Sequence, residues 1–157
     1  MAESALQKSV LSYIVEALPA MKAGKKAHLF NPISHMKLHL TQAAGNQLIT
    51  GYGEGWVAVN TGRYSKSLIV MPDKLIEDWE ATDFDSLTVA HFERIAELKP
   101  EVVLLGTGNA HRFIHPRITR QLTDAGISIE CMDTAAACRT YNILMSEGRH
   151  VAAVLII

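Results

Sequence analysis

Six residues in the C-terminal third of the chain have the types and spacing to hold a ligand: Gly106, Thr107, Gly108, Arg112, Asp133 and Arg139. Gly106-Thr107-Gly108 follows an apolar run, Val102 to Leu105, and glycines at a strand end let backbone N–H groups approach a phosphate. Glu130, near the end of the next apolar run, stands where a dinucleotide fingerprint places its acid. The third glycine of that fingerprint is missing, because His111 occupies its position, and the next helix starts late, near Pro116. No cofactor is assigned on this pattern. A turn that needs glycine dihedrals, followed by an exposed loop from Asn109 to Arg112, accounts for the same residues. A softer possibility is that Arg112, from that loop, and Arg139, from a later helix, converge beside caps at Asp133 and Thr134. Such a cleft would take an anion or a partner's carboxylate.

Other reactive types lack their partners. His111 and His115 have the spacing of two metal ligands on a helix, but Pro116 places them before the helix and no glutamate completes the motif. No metal is assigned. Cys138 lies in the first turns of a helix beside Arg139, and both features depress a thiol pKa. No base is placed beside it, so packing against the sheet, on a face shared with Tyr141 and Met145, is its expected role. Ser65 and Ser67 lie outside any Gly-x-Ser-x-Gly elbow. No catalytic residue is assigned.

The elements that would position these residues alternate between strand and helix. Residues 47–71 read as β, with turns at Gly53-Glu54-Gly55 and Asn60-Thr61-Gly62, and a short strand Leu68 to Met71 ended by Pro72. Residues 77–85 form an acidic surface loop whose Trp79 packs inward. Thr88 caps a helix with Val89, Phe92, Ile95, Ala96 and Leu98 on one face, ended by Pro100. A second helix is expected from Pro116 through Leu122, closed by Gly126. The strand Ile127 to Cys131 then leads to a third helix capped by Asp133 or Thr134, Gly148, and a last strand. Strand–helix–strand–helix–strand at these short spacings predicts an α/β domain with a largely parallel sheet and an N-terminal β-meander. Residues 1–35 read as an extension, flexible or marginally helical up to Pro19, and residues 36–157 as a single domain.

Length and composition narrow the class. The chain has 157 residues and a formal net charge of -1, so no overall field draws it to nucleic acid. The one basic patch, His111, Arg112, His115, Arg117 and Arg120, reads as a solvated face. Two cysteines fit a reducing compartment, and no apolar run reaches the ~20 residues of a membrane helix. The absence of a signal-peptide pattern points to the cytoplasm.

The run from Asp133-Thr134-Ala135-Ala136-Ala137-Cys138-Arg139-Thr140-Tyr141-Asn142-Ile143-Leu144 to Glu147-Gly148-Arg149, with Leu104-Leu105-Gly106-Thr107-Gly108 upstream, resembles the MTH-nine-three-eight-like family, long labelled a domain of unknown function. The match covers Met36 to Ile157. The resemblance implies a three-layer α/β domain with a mixed central sheet. A mitochondrial member of that family is an assembly factor for respiratory complex I, so the resemblance also implies a protein that works through protein partners. The competing expectation is a small-molecule or anion-binding protein, or an enzyme, using the Gly106–Arg112 loop and the Asp133 cap. Nucleic-acid binding ranks third, and the apolar closing strand leaves homo-oligomerisation open.

Overall fold

The computed structural model describes residues 45–157. The helix expected before Pro19 and the boundary between residues 35 and 36 lie outside them. Two sheets organise the described residues. In the first, β1 (Ile49–Gly53) and β2 (Trp56–Val59) are joined through Glu54 and Gly55, and Gly55 closes the hairpin at a φ of 71°. Asn60, at a φ of 52°, turns the chain into β3 (Gly62–Tyr64), and its side-chain oxygen accepts the Leu48 N–H at 2.9 Å. These three strands pair antiparallel in chain order, giving the meander that the turn residues predict.

The second sheet contains β4 (Leu68–Met71), β5 (Lys74–Ile76), β6 (Val102–Thr107), β7 (Ser128–Met132) and β8 (Val151–Ile156), in the order β5-β4-β8-β6-β7. β6 pairs parallel with both β7 and β8, while β4 runs antiparallel to β8 and β5. The sheet is therefore mixed. Its β8-β6-β7 block is parallel, as the strand–helix alternation predicts, but its other two pairings are antiparallel, so it is less parallel than expected. β6 and β8 are buried along their full length. This burial is why they read as unbroken apolar runs instead of alternating ones.

Successive residues of these strands feed two separate cores. Ile69, Val103, Leu105, Val154 and Ile156 pack on one face, with Trp79 and with Phe92 and Ile95 of α1 (Val89–Glu97). Leu68, Val102, Leu104, Ala153 and Leu155 pack on the other, with Ile49 and Val57 of the meander and with Ala137, Cys138 and Tyr141 of α3 (Thr134–Ser146). Each fully buried Leu, Ile or Phe contributes about 1.5–3 kcal/mol relative to exposure, so the two-sided burial dominates stability. Trp79, inside the acidic loop, is 6% exposed, which places it in the core as its isolation predicts.

One helix departs from expectation. α2 runs only from Arg120 to Asp124 and does not begin at Pro116. Residues 115–119 wind instead as turns, with the Ile118 N–H on the His115 carbonyl at 2.9 Å and the Arg117 N–H on His115 Nδ1 at 3.2 Å. Proline's fixed φ suits a turn as well as a first helical residue, and the His115 side chain captures the N–H that would otherwise face a helix start. Gly126, at a φ of 72°, closes the helix as predicted.

Candidate functional site

β6 and β7 end side by side, Gly106 opposite Met132, and the chain leaves them in two different ways. After β7 a single residue, Asp133, caps α3: its carboxylate accepts the Ala136 N–H at 2.7 Å. After β6 the chain runs as a loop from Gly108 to Thr119 before α2. Thr134 ties the two exits together. Its hydroxyl donates to the Ile156 carbonyl at 2.7 Å and accepts the Gly108 N–H at 2.9 Å, and its own N–H donates to the Gly108 carbonyl at 2.9 Å. One side chain thus joins the carboxyl ends of β6 and β8 to the start of α3.

That stitch explains the Gly-Thr-Gly sequence without a phosphate. A Cβ on Gly106 would lie 3.0 Å from Thr134 Oγ1 and 3.1 Å from Thr134 Cα, so the glycine permits a close approach of backbone to backbone. Thr107 is buried, and its hydroxyl lies 2.6 Å from the Ala110 carbonyl and 3.0 Å from the Met132 carbonyl while accepting the Arg112 N–H at 3.1 Å. It sets the course of the loop. Gly108 takes a φ of 88°.

The two arginines do not converge. Arg112 Nη2 binds Asp85 Oδ1 at 2.6 Å, and its guanidinium carbon lies 4.3 Å from the centroid of the Phe84 ring. Arg139 Nη1 donates to the Tyr52 hydroxyl at 3.1 Å. Sequence spacing places both near the strand ends, but Asp85 and Tyr52, remote in the chain, capture them separately.

A cleft of about 820 Å³ lies between the β1–β2 hairpin and the exits of β6 and β7. Tyr52, Glu54 and Trp56 line it from the hairpin, and Gly108, Asn109 and Asp133 from the opposite side. Of the six residues expected to bind, Gly108 and Asp133 reach the cleft. Its described lining carries two carboxylates, Glu54 and Asp133, and neither Arg112 nor Arg139, although Arg139 reaches its edge through the hydrogen bond to Tyr52. The hairpin residues escape sequence reading because they lie some eighty positions away from Asp133. Their aromatic character beside a glycine turn is the only signal.

Cys138 packs in the core as expected, although its thiol shifts opposite to the direction that the helix start and Arg139 suggest. Burial pushes its thiol up to about 12, and the nearby Arg139 charge only partly offsets this. It is a packed core residue, and Tyr141 beside it is also buried, its phenol donating to the Gln47 carbonyl at 2.7 Å. His111 lies against Phe113 in a tilted pair, with ring centroids 4.5 Å apart and the planes at 48°. Among the described residues no group of three or more His, Cys, Asp or Glu is placed to hold a metal ion, and no helix is long and apolar enough to cross a membrane.

Comparison with known proteins agrees with this architecture. A family profile described as a protein of unknown function (DUF498/DUF598) matches residues 49–156. A Francisella tularensis protein named 13 kDa major membrane protein is 32% identical over 106 residues, covering 67% of this chain and 86% of its own. The Bos taurus NADH dehydrogenase (ubiquinone) 1 alpha subcomplex assembly factor 3 is 31% identical over 110 residues, covering 69% of this chain. The match spans 59% of that relative's length. Among solved structures, a Bordetella parapertussis protein superposes with a TM-score of 0.69 at 37% identity, covering 73% of this chain and 98% of that one. A Bordetella pertussis Mth938-like domain gives a TM-score of 0.65 at 28% identity over 87% of this chain and 92% of its own. The chain belongs to the DUF498/DUF598 family of Mth938-like domains.

Proposed function

We propose that this chain is an interaction protein of the assembly-factor kind, serving the assembly of a respiratory complex in the cytoplasm through contacts with other proteins. The observation that carries the proposal is the 31% identity to the bovine complex I assembly factor over 110 residues. That length is close to the span of the two sheets and three helices described above. The scaffold is read as three layers, with the five-stranded sheet between α3 on one side and α1 with α2 on the other.

The local chemistry supports this reading over anion binding. Three of the donors that a phosphate could use at the Gly-Thr-Gly turn and the start of α3 are already engaged. Gly108 N–H goes to Thr134, Thr134 N–H to Gly108, and Ala136 N–H to Asp133. A second reading has the cleft behind it, whose volume lies in the range of small-molecule sites. With Glu54 and Asp133 in its lining, that site would favour neutral or cationic ligands.

A tagged chain recovered from its host in mild detergent, followed by mass spectrometry, separates the readings. Respiratory-complex subunits or their assembly factors held by wild type support the assembly role. Reproducible recovery of the chain alone overturns it, and thermal stabilisation by an amine or neutral metabolite would then favour the cleft.

A further inference from the structure

The loop from Gly108 to Thr119 presents an aromatic ring that the fold does not use. Phe113 is 82% exposed, more than any other large hydrophobic residue described, and it belongs to neither core. The next residue, Ile114, packs against the first core and anchors the loop. Phe113 is therefore surplus to folding, and an exposed phenylalanine bears an uncompensated hydration cost.

The ring is also held in place. Thr107 fixes the backbone on both sides of His111, through the Ala110 carbonyl and the Arg112 N–H. The Asp85 ion pair and the Phe84 ring hold the Arg112 side chain, and the His111 ring lies against Phe113 itself in a tilted pair. An aromatic side chain ordered before binding loses little entropy when it binds, which is the character of an interface anchor.

We infer that Phe113 is the anchor by which this chain enters an apolar socket, bordered by carboxylates, on a partner protein; the inference rests on the interaction reading above. The charge around the ring selects the occupant. His111 lies against it, His115 and Arg117 are exposed two and four residues further along the chain, and Arg117 has no ion pair among the described residues. Carboxylates at the rim of the socket would meet Arg117 and the two imidazoles. An anionic membrane fits less well, because attraction to lipid grows with the number of unpaired cations. Here Arg112 is paired with Asp85 and Arg120 with Asp124, so Arg117 is the one arginine of the patch left unpaired among the described residues, which suits a local carboxylate contact and not a lipid surface.

The test places a photoreactive benzoylphenylalanine at position 113 of the full chain in its host. The same group at Ile143, which is 57% exposed on α3, serves as the control position. Position 113 alone should cross-link to one protein, at a segment containing Asp or Glu. That protein, once purified, should bind Phe113→Ser about tenfold or more weakly than wild type, retain most affinity for Phe113→Trp, and bind Arg117→Glu more weakly with a reduced salt dependence. Circular dichroism and melting temperature should match wild type for each variant, since the ring is outside the core. A cross-link within the same chain, to a second copy or to lipid overturns the inference, as does unchanged affinity of Phe113→Ser. If wild type still recovers respiratory assembly proteins while position 113 yields no cross-link, the anchor is refuted and the assembly role stands. If wild type recovers none, the assembly role falls, whatever position 113 shows.

Discussion

The exits of β6 and β7 are neighbours on one sheet edge, yet they are built to opposite ends. The β7 exit is one residue long and is tied down, by Asp133 to α3 and by Thr134 to both β6 and β8. The β6 exit is a long loop, fixed at its base by Thr107 and Arg112 and carrying an exposed ring at its tip. The comparison teaches that binding potential at this edge resides in the excess chain. Residues with a ligand-binding look, Gly106 and Thr107, maintain the tied exit and the loop base instead. Loops of this length without regular structure are uncommon unless they act.

Substitutions at the tied exit should have the largest effects on stability. Gly106→Val should cost about 3 kcal/mol, because the new side chain meets the Thr134 backbone at 3.1 Å and cannot push it aside. Thr134→Val, which keeps the shape but leaves the Gly108 N–H and the Ile156 carbonyl without their partner, should cost about 2 kcal/mol in urea unfolding. An effect under about 0.5 kcal/mol would show that the two exits are not joined as described.

Alkali probes the buried face of the same helix. The Cys138 thiol is raised from 9.0 to about 12 in the folded chain, so folding favours its protonated form. Stability should be intact below pH 9 and fall as pH rises toward about 12, and Cys138→Ala should flatten that limb relative to wild type. Asp133→Ala should cost about 1 kcal/mol, the usual value of a lost N-cap. At the loop tip the effects on stability should be smallest. Arg112→Ala removes an ion pair whose side chains are 44% and 76% exposed, for less than about 1 kcal/mol after screening. Phe113→Ser should stay within about 0.5 kcal/mol. A large loss of stability at Phe113 would erase the contrast between the two exits.

Much of the fold was legible before any coordinates. Val102 to Leu105 and Val151 to Ile157 lack polar interruptions, as strands covered on both faces do, and Thr88, Asp133, Gly126 and Gly148 mark helix ends by their own chemistry. The pairing order β8-β6-β7 was not legible, since no local signal tells a strand which neighbour it will join. The start of α2 was misplaced because Pro116 suits a turn and a helix equally, and the His115 side chain decided between them. The candidate site was less legible than the fold. Gly108 and Asp133 reach the cleft, while its other wall comes from Tyr52, Glu54 and Trp56.

By itself, then, the sequence determined what depends on neighbours in the chain: element type, caps, turns, the apolar strands and the family they belong to. The tertiary structure alone decided what depends on groups far apart in sequence. Burial overrode the helix terminus and Arg139 at Cys138, because moving a thiolate out of water costs more than one screened cation returns. Asp85 and Tyr52 drew Arg112 and Arg139 to separate places, because a charge takes the partner that packing brings within reach. Phe113 was left in solvent because Ile114 already fills the core beneath its loop.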